Sequence, residues 1–140
     1  MLSYKTIIRV RYADTDKMEF VYNGKYLEYF EVGRTELLRS VGLPYSHLEK
    51  QGYQLPLIQA HVNYKNAAHY DDLLEIESVL NEIRSAKVHI DYIIRIKDSQ
   101  TVIATGYTDH MFIKADTKKP TRPPKIYIDA LLPFFEKSTE

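Results

Sequence analysis

A single change of hydrophobic period divides this chain and limits what it can fold into. Over residues 24–42, apolar side chains recur at intervals of three and four, which is the period of an amphipathic helix. From residue 56 to about residue 115, apolar and polar side chains alternate instead, which predicts long β-strands. One helix cannot cover both faces of such a sheet, but a strongly curved sheet can wrap around one helix. The sequence therefore predicts an α+β fold, with a long central helix wrapped by a curved antiparallel sheet.

The predicted helix carries signals for its own ends. Asn23 stands where an N-cap is expected, and Gly42 stands where a glycine stop is expected. Gly33, in the middle of the helix, lowers helix propensity by about 1 kcal/mol relative to alanine. We expect this glycine to let the helix approach the sheet closely. The predicted apolar stripe consists of Tyr26, Leu27, Phe30, Gly33, Leu37, Leu38 and Val41.

Five strands are predicted around the helix. They span residues 4–12, 56–66, 73–83, 86–97 and 101–115. Residues 13–23 form an acidic connection before the helix, and residues 44–51 suit a short helical turn after it. The proline-rich stretch 117–125 cannot join a central strand and is predicted to be a loop. A short helix over 128–137 ends the chain.

The composition excludes several classes of protein. With no cysteine among its 140 residues, the chain can form no disulfide, thiolate metal site or cysteine nucleophile. Its 19 basic and 19 acidic residues balance, whereas nucleic-acid binders usually carry a basic excess. No run approaches the roughly 20 apolar residues of a spanning helix, and no signal-peptide pattern is present. We expect a single domain over residues 1–140, located in the cytoplasm, with no nucleic-acid partner and no membrane insertion.

The common sequence motifs of catalysis are also missing. There is no G-x-S-x-G, no G-x-G-x-x-G, no P-loop and no H-E-x-x-H. The five histidines show no metal-ligand spacing, so we expect no metal site.

Two aspartates just before the helix are the candidates for chemistry. Asp14 and Asp16 would lie near the helix N-terminus, where unpaired N–H groups carry partial positive charge. The same N–H groups could hold a developing oxyanion, and a carboxylate beside them could hydrolyse an ester or thioester. Aspartates in this setting more commonly serve as turn and capping residues. Spacing alone leaves both interpretations open and favours the second.

The residues of this motif also resemble those of a known family. The run from Arg11 to Glu36 begins R-Y-A-D-T-D and continues through V-Y-N-G-K-Y to Y-F-E. Together with Y-D-D-L-L-E-I at 70–76 and T-D-H-M-F-I at 108–113, it resembles the 4-hydroxybenzoyl-CoA thioesterase family of hotdog proteins. It looks closest to the acyl-CoA thioesterases associated with the Tol–Pal system. The resemblance implies a hotdog fold and hydrolysis of an acyl-CoA thioester without a metal or redox cofactor.

The resemblance also implies roles for individual residues. Asp16, the second Asp of D-T-D, takes the catalytic position as nucleophile or general base, and Asp14 takes a structural one. The backbone N–H groups of Asn23 and Gly24 would bind the oxyanion. In such proteins two chains pair edge to edge and the active sites lie between protomers. We therefore expect a homodimer or a dimer of dimers, that is, a homotetramer.

Further residues would contact the acyl-CoA substrate. Tyr22 and Tyr26 would line or support the acyl pocket. Arg84 and Arg122 fall near places where family members hold the nucleotide phosphates. Glu19 would lie beside the acyl pocket. Sequence alone does not name the acyl group.

Three positions depart from the family pattern. The family usually has Gly at the position of Glu19, often Asn at that of Lys25, and often His at that of Asn23. A glycine at position 19 could serve a left-handed backbone, in which case Glu19 costs roughly 1–2 kcal/mol. It could instead provide space, in which case the Glu19 side chain would crowd the pocket and add a negative charge beside Asp16.

Three rival functions remain to be distinguished. A hydratase or dehydratase on the same fold would use a His in the loop before the helix, and residues 13–23 contain none. A non-catalytic acyl-CoA or acyl-carrier-binding hotdog protein, or a scaffold, would bind the thioester without releasing thiol. A purely structural oligomer would bind no CoA ester.

Overall fold

The computed structural model describes residues 1–138 and contains seven strands, three α-helices and one short 3-10 helix (Tyr12–Asp14) within that range. The strands are β1 (Leu2–Arg9), β2 (Tyr53–Gln54), β3 (Leu57–Tyr64), β4 (Leu73–Leu80), β5 (Lys87–Ile96), β6 (Val102–Met111) and β7 (Ile113–Lys114). The helices are α1 (Lys25–Ser40), α2 (Tyr45–Lys50) and α3 (Lys125–Ser138). The five long strands form one antiparallel sheet in the order β1-β4-β5-β6-β3. The predicted α+β architecture is confirmed.

Alternation along the central strands decides which face of the sheet meets α1. In β4, Leu74, Ile76, Ser78 and Leu80 are buried and their neighbours are partly exposed, as a period of two requires. The inward residues of β5 pack against the helix in the same way. The ring of Phe30 on α1 stacks on Tyr92 of β5, with centroids 4.3 Å apart.

Gly33 sits where α1 comes closest to β4. A Cβ atom at this position would lie 2.5 Å from Ser78 Oγ and 2.8 Å from Ile76 Cγ2. Both distances are too short for real contacts, so an alanine would push the helix away from the sheet. The expectation of close approach at Gly33 is confirmed.

The C-terminus of α1 ends as the sequence predicts. Gly42 has φ of 80°, the left-handed conformation that favours glycine. Its N–H donates to Arg39 O at 3.0 Å, and Leu43 N–H donates to Leu38 O at 3.0 Å. These two bonds satisfy carbonyl groups that the last helical turn leaves unpaired, in a Schellman arrangement.

The predicted N-cap was wrong. Gly24, with φ −67° and ψ −18°, directly precedes the helix, and no side chain in the described part of the chain caps the helix there. Asn23 lies one residue before that position, and its side chain forms no capping hydrogen bond. Its carbonyl oxygen instead accepts hydrogen bonds from Tyr26 N–H at 3.4 Å and from Tyr64 Oη at 3.3 Å.

Several element boundaries also differ from the prediction, including that of the strand predicted over 73–83, which ends at Leu80. The strand predicted over 101–115 breaks at Phe112, whose buried ring leaves the sheet and whose carbonyl accepts Thr121 N–H at 2.9 Å. The residues beyond it form β7, which pairs with β2. The first strand ends at Arg9, and the terminal helix begins at Lys125, earlier than position 128.

Edge strand β3 differs from the rest of the sheet. Within residues 1–138 only β6 pairs with it, and seven of its eight residues are exposed. Leu57 and Ile58 keep 47% and 51% of their surface open to solvent. An edge of this length with open apolar side chains can add another strand.

Among residues 1–138, no helix is both long enough and apolar enough to cross a membrane.

Candidate active site

Residues 14–22 form a short hairpin that presents Asp16 near its tip. Thr15 and Val21 face each other as an antiparallel bridge. Asp16 N–H donates to Phe20 O at 3.0 Å, which closes the tip. The hairpin leads directly into α1, so the carboxylate and the helix N-terminus are connected by a few ordered residues.

The hairpin is also fixed to the chain that follows β3. Phe20 and His69 form a second antiparallel bridge, and their rings meet edge to face at 6.3 Å. Val21 N–H donates to Ala68 O at 2.9 Å. These long-range bonds hold the hairpin in one position.

The Asp16 carboxylate is half-buried and only partly engaged. Its Oδ1 accepts the Met18 N–H at 2.9 Å, a local turn bond. Within residues 1–138, Oδ2 accepts no hydrogen bond and no cation pairs with the group. The cavity beside it measures about 330 Å³. Its lining consists of Tyr12, Thr15, Asp16, Glu19, His69 and Tyr70.

Glu19 adopts a left-handed conformation at the hairpin tip, with φ of 70°. Its N–H donates to Asp16 O at 2.9 Å, closing the turn that this backbone conformation makes possible. Of the two possibilities stated for position 19, the left-handed backbone is therefore the one that the structure shows. Because the Glu19 side chain also lines the Asp16 cavity, it places a second carboxylate there.

Asp14 has a different environment from Asp16. Its carboxylate is buried, with Oδ2 accepting the Arg11 N–H at 3.1 Å and the Tyr29 hydroxyl at 2.9 Å. Oδ1 faces Arg11 Nη2 at 3.2 Å and Lys25 Nζ at 3.8 Å. Burial alone would raise the pKa of this carboxyl, but the hydrogen bonds from Arg11 and Tyr29, with the Arg11 charge, lower the pKa overall.

The first turn of α1 offers unused hydrogen-bond donors. The backbone N–H groups of Asn23 and Gly24 donate no hydrogen bond within residues 1–138. Asn23 and Tyr26 border a second cavity of about 210 Å³ beside this turn. The whole lining is Phe20, Val21, Asn23, Tyr26, Tyr64, Lys65, Asn66 and Ala67.

Asp16 and Asn23 thus line neighbouring cavities in one protomer. Phe20 connects them, because its carbonyl holds the Asp16 N–H while the residue itself lines the helix-tip cavity. Tyr26 is buried there, and burial raises the pKa of its phenol to about 12, so it stays neutral. Tyr22 lies outside both linings; its exposed ring covers Gly24, where a Cβ would lie 2.9 Å from Tyr22 Cε2.

The two predicted phosphate-binding arginines lie on exposed connections. Arg84 lies between β4 and β5, and Arg122 lies in the loop before α3. Neither forms an ion pair in the described part of the chain. Both guanidinium groups therefore remain available to an anion.

The structure adds aromatic residues that the sequence did not single out. Tyr12 and Tyr70 meet edge to face at 5.9 Å on the wall of the Asp16 cavity. Tyr64 contacts Tyr26 at 5.4 Å in the helix-tip cavity. Tyr70 and Tyr64 come from segments remote from the hairpin. The only sequence signal for an aromatic wall was the high tyrosine content, 12 of 140 residues.

Comparison with known proteins identifies the family. The model of the thioesterase-like superfamily matches residues 10–132. The chain belongs to this superfamily. The match covers the hairpin, α1 and four of the five long strands, and β1 lies just before it.

Relatives of this superfamily extend the likeness along the chain. The putative acyl-CoA thioesterase YneP of Bacillus subtilis is 31% identical over 89% of this chain and 90% of its own length. The acyl-CoA thioesterase YbgC of Haemophilus influenzae is 37% identical over 58% of this chain and 60% of its own. The structure of a DHNA-CoA thioesterase from Staphylococcus aureus superimposes with a TM-score of 0.82 at 31% identity, covering 99% of this chain and 89% of the other. The hotdog fold expected from the sequence is confirmed.

Proposed function

We propose that this superfamily member is an acyl-CoA thioesterase in which Asp16 supplies the catalytic carboxylate. The names of its relatives support thioester hydrolysis. Within the described residues, Oδ2 of Asp16 accepts no hydrogen bond, and the hairpin leads to the N–H groups of Asn23 and Gly24, which donate none; this observation carries the assignment. A carboxylate without competing bonds can attack or accept a proton, and free amides at a helix N-terminus can stabilise an oxyanion.

Two routes use the same residues. In one, Asp16 attacks the thioester carbon, the CoA thiolate leaves, and water hydrolyses the resulting anhydride. In the other, Asp16 takes a proton from water, which attacks the same carbon and expels the thiolate. In both routes the amides of Asn23 and Gly24 bind the carbonyl oxygen as it gains negative charge. Neither route requires a metal or a redox cofactor, which stays a prediction.

The roles proposed for the substrate contacts follow from their positions. Tyr26 walls the helix-tip cavity, and Tyr22 covers Gly24 beside it. Glu19 adds negative charge next to Asp16, which disfavours acyl groups with a terminal carboxylate. Arg84 and Arg122, exposed and unpaired, would bind the phosphates of coenzyme A.

We also propose that two chains pair along β3. The exposed apolar edge of this strand supports pairing with the same strand of a second copy, giving a continuous ten-stranded sheet. The helix-tip cavity is bordered by Tyr64 at the end of β3, so a second protomer would complete its open side. Three further points stay predictions. They are the number of chains in the oligomer (two or four), the cytoplasmic location, and membership of the 4-hydroxybenzoyl-CoA or Tol–Pal-associated branch.

A thiol-release assay over short, long and aromatic acyl-CoA esters tests the proposal. We expect turnover of at least one ester by the wild type and a fall of at least about 100-fold in kcat for Asp16→Asn. The Asn variant keeps an oxygen for the Met18 N–H, so folding is expected to be unchanged. Wild-type rates in Asp16→Asn would remove this residue from its role. Binding of acyl-CoA without thiol release from any ester would instead favour a non-catalytic binding protein.

A further inference from the structure

His69 lies in the wall of the Asp16 cavity, and the proposed reaction does not use it. Within residues 1–138, it is the only histidine of that lining. The other four histidines lie elsewhere, on α2, β3, β5 and β6. The cavity of about 330 Å³ has room for water molecules next to both side chains. An ionisable ring thus shares a hydrated space with the proposed catalytic carboxylate.

Backbone hydrogen bonds tie His69 to the hairpin that carries Asp16. Phe20 forms an antiparallel bridge with His69, and its carbonyl accepts the Asp16 N–H at 3.0 Å. On its other side, His69 N–H donates to Asp72 Oδ2 at 2.9 Å. Asp72 N–H in turn donates to His69 O at 3.1 Å. The backbone at His69 is therefore held in a fixed position relative to that of Asp16, although the two residues are far apart in sequence.

The imidazole ring of His69 has one nitrogen without a partner. Nδ1 lies 3.9 Å from Asp72 Oδ2, and the ring meets that of Phe20 edge to face at 6.3 Å. Nε2, on the opposite edge of the ring, forms no hydrogen bond within residues 1–138. The side chain is 59% exposed, so water reaches it. An accessible imidazole nitrogen with a free lone pair can accept a proton from water.

The nucleophilic route of the proposed reaction needs a base besides Asp16. Once Asp16 has attacked the thioester, its carboxylate is part of an anhydride and cannot take a proton from the water that follows. Glu19 and His69 are the other proton acceptors among the acidic and basic side chains of the lining. Imidazole is the side-chain type that changes charge nearest neutral pH, so it accepts and returns a proton readily there. This property favours His69.

We propose that His69 is the catalytic base of the second half-reaction, in which water hydrolyses the anhydride between Asp16 and the acyl group. The inference rests on the proposed function and selects its nucleophilic route. His69 Nε2 takes one proton from the water, whose oxygen bonds to the acyl carbon. The bond between that carbon and the Asp16 oxygen breaks, and its electron pair restores the carboxylate. The proton then passes from His69 to solvent, where it balances the proton that the expelled CoA thiolate takes up.

Rapid-mixing kinetics of His69→Gln test this role in the full-length protein. With an acyl-CoA ester that the wild type hydrolyses, the variant should release about one thiol per active site in a fast first phase. Its steady rate should then lie at least about tenfold below that of the wild type, because the anhydride accumulates when its water lacks a base. Mass spectrometry of the intact protein should find the acyl group on this variant. Adding Asp16→Asn to the same variant should abolish that acylation.

Three further variants sharpen the test. His47→Gln removes an imidazole on α2, outside the cavity lining, and should leave both phases unchanged. Glu19→Gln removes the other candidate base and should release no more thiol in its first phase than the wild type does. Free imidazole added to His69→Ala should restore the steady rate, since the cavity can hold the added ring. Circular dichroism of every variant separates lost reaction from lost folding.

The outcomes separate this inference from the proposed function. Wild-type kinetics in His69→Gln, slow turnover without a first phase, or no rescue by imidazole would each overturn the role of His69. A first phase of excess thiol in Glu19→Gln alone would overturn it as well. In all four cases, lost turnover in Asp16→Asn would still support the proposed function. Wild-type turnover in Asp16→Asn, or no hydrolysis of any ester by the wild type, would instead overturn both.

Discussion

Asp14 and Asp16 are two residues apart in one D-T-D motif, yet the fold gives them opposite environments. Asp14 is 3% exposed and receives hydrogen bonds from Arg11 and Tyr29. Asp16 is half-buried, holds one local N–H and leaves an oxygen free beside a cavity. A carboxylate whose lone pairs are all engaged stabilises a structure, whereas one with a free lone pair can react.

The contrast follows from how each residue is attached to α1. Asp14 reaches Tyr29, the second turn of the helix, and its backbone carbonyl accepts Tyr22 N–H at 2.9 Å. Asp16 is held by the backbone of its own hairpin. The first aspartate thus anchors the hairpin, and the second is presented by it.

Matched Asp→Asn substitutions give the strongest test of this contrast. Asp16→Asn should lower kcat by at least about 100-fold and change the free energy of unfolding by less than about 0.5 kcal/mol. Asp14→Asn should lower the free energy of unfolding by about 2 kcal/mol, because it loses charge-assisted hydrogen bonds in a buried site. Urea unfolding and thiol release, measured on both variants, would contradict the contrast if each variant lost both properties equally.

The pH dependence of stability provides the next test. The pKa of Asp14 is lower in the folded chain than its ordinary value of 3.8. Its ionised form therefore stabilises the fold fully above about pH 3.8, and this contribution is lost as the pH falls through the lower folded pKa. Urea unfolding between pH 2 and 6 should show a shallower loss of stability in Asp14→Asn than in the wild type. Parallel curves would mean that other carboxylates cause the acid sensitivity.

Removing the Tyr29 hydroxyl, which donates to Asp14, should have a smaller effect. Tyr29→Phe keeps the ring but deletes the donor to Asp14, so we expect a loss of about 1 kcal/mol in the free energy of unfolding. Tyr127→Phe is the control, because the buried Tyr127 hydroxyl has no hydrogen-bond partner in the described residues. That control should lose nothing; an equal loss in both variants would show that the Asp14 bond contributes little.

The smallest expected effect concerns the hairpin tip. Glu19→Gly relieves a left-handed backbone and should raise the free energy of unfolding by about 0.5 kcal/mol, since glycine's greater unfolded-state entropy offsets part of the gain. Asp98→Gly, at another position with positive φ of 60° on the remote β5–β6 turn, should give a similar gain. Only Glu19→Gly should also alter kcat, because it removes a carboxylate beside Asp16. Identical thiol-release kinetics in the two variants would confine Glu19 to a backbone role.

The sequence predicted the elements better than their ends. Periodicity identified α1 and the five long strands, because burial of one face imposes a regular repeat on local sequence. It placed the N-cap at Asn23 and carried the last long strand through Phe112. Both errors concern positions where a contact distant in sequence, such as Tyr64 with Asn23 or Thr121 with Phe112, decides the local conformation.

The candidate site was predictable only in part. The D-T-D motif and the start of α1 are adjacent in sequence, so Asp14, Asp16, Asn23 and Gly24 could be selected from the residues and the resemblance. The aromatic wall formed by Tyr12 and Tyr70 could not, because 58 positions separate the two rings and no spacing rule links them.

By itself, the sequence determined the α+β class, the position of the central helix, its glycine stop and the region where chemistry is expected. These features depend on repeats and on neighbouring residues, which a linear chain displays directly. Only the tertiary structure decided that the Asp14 carboxylate is buried and bonded through both oxygens, that Asp16 keeps only one local bond within residues 1–138, and that Glu19 has a positive φ. Each of those outcomes depends on which groups the folded chain brings within hydrogen-bonding distance, and the tertiary structure alone determines those contacts.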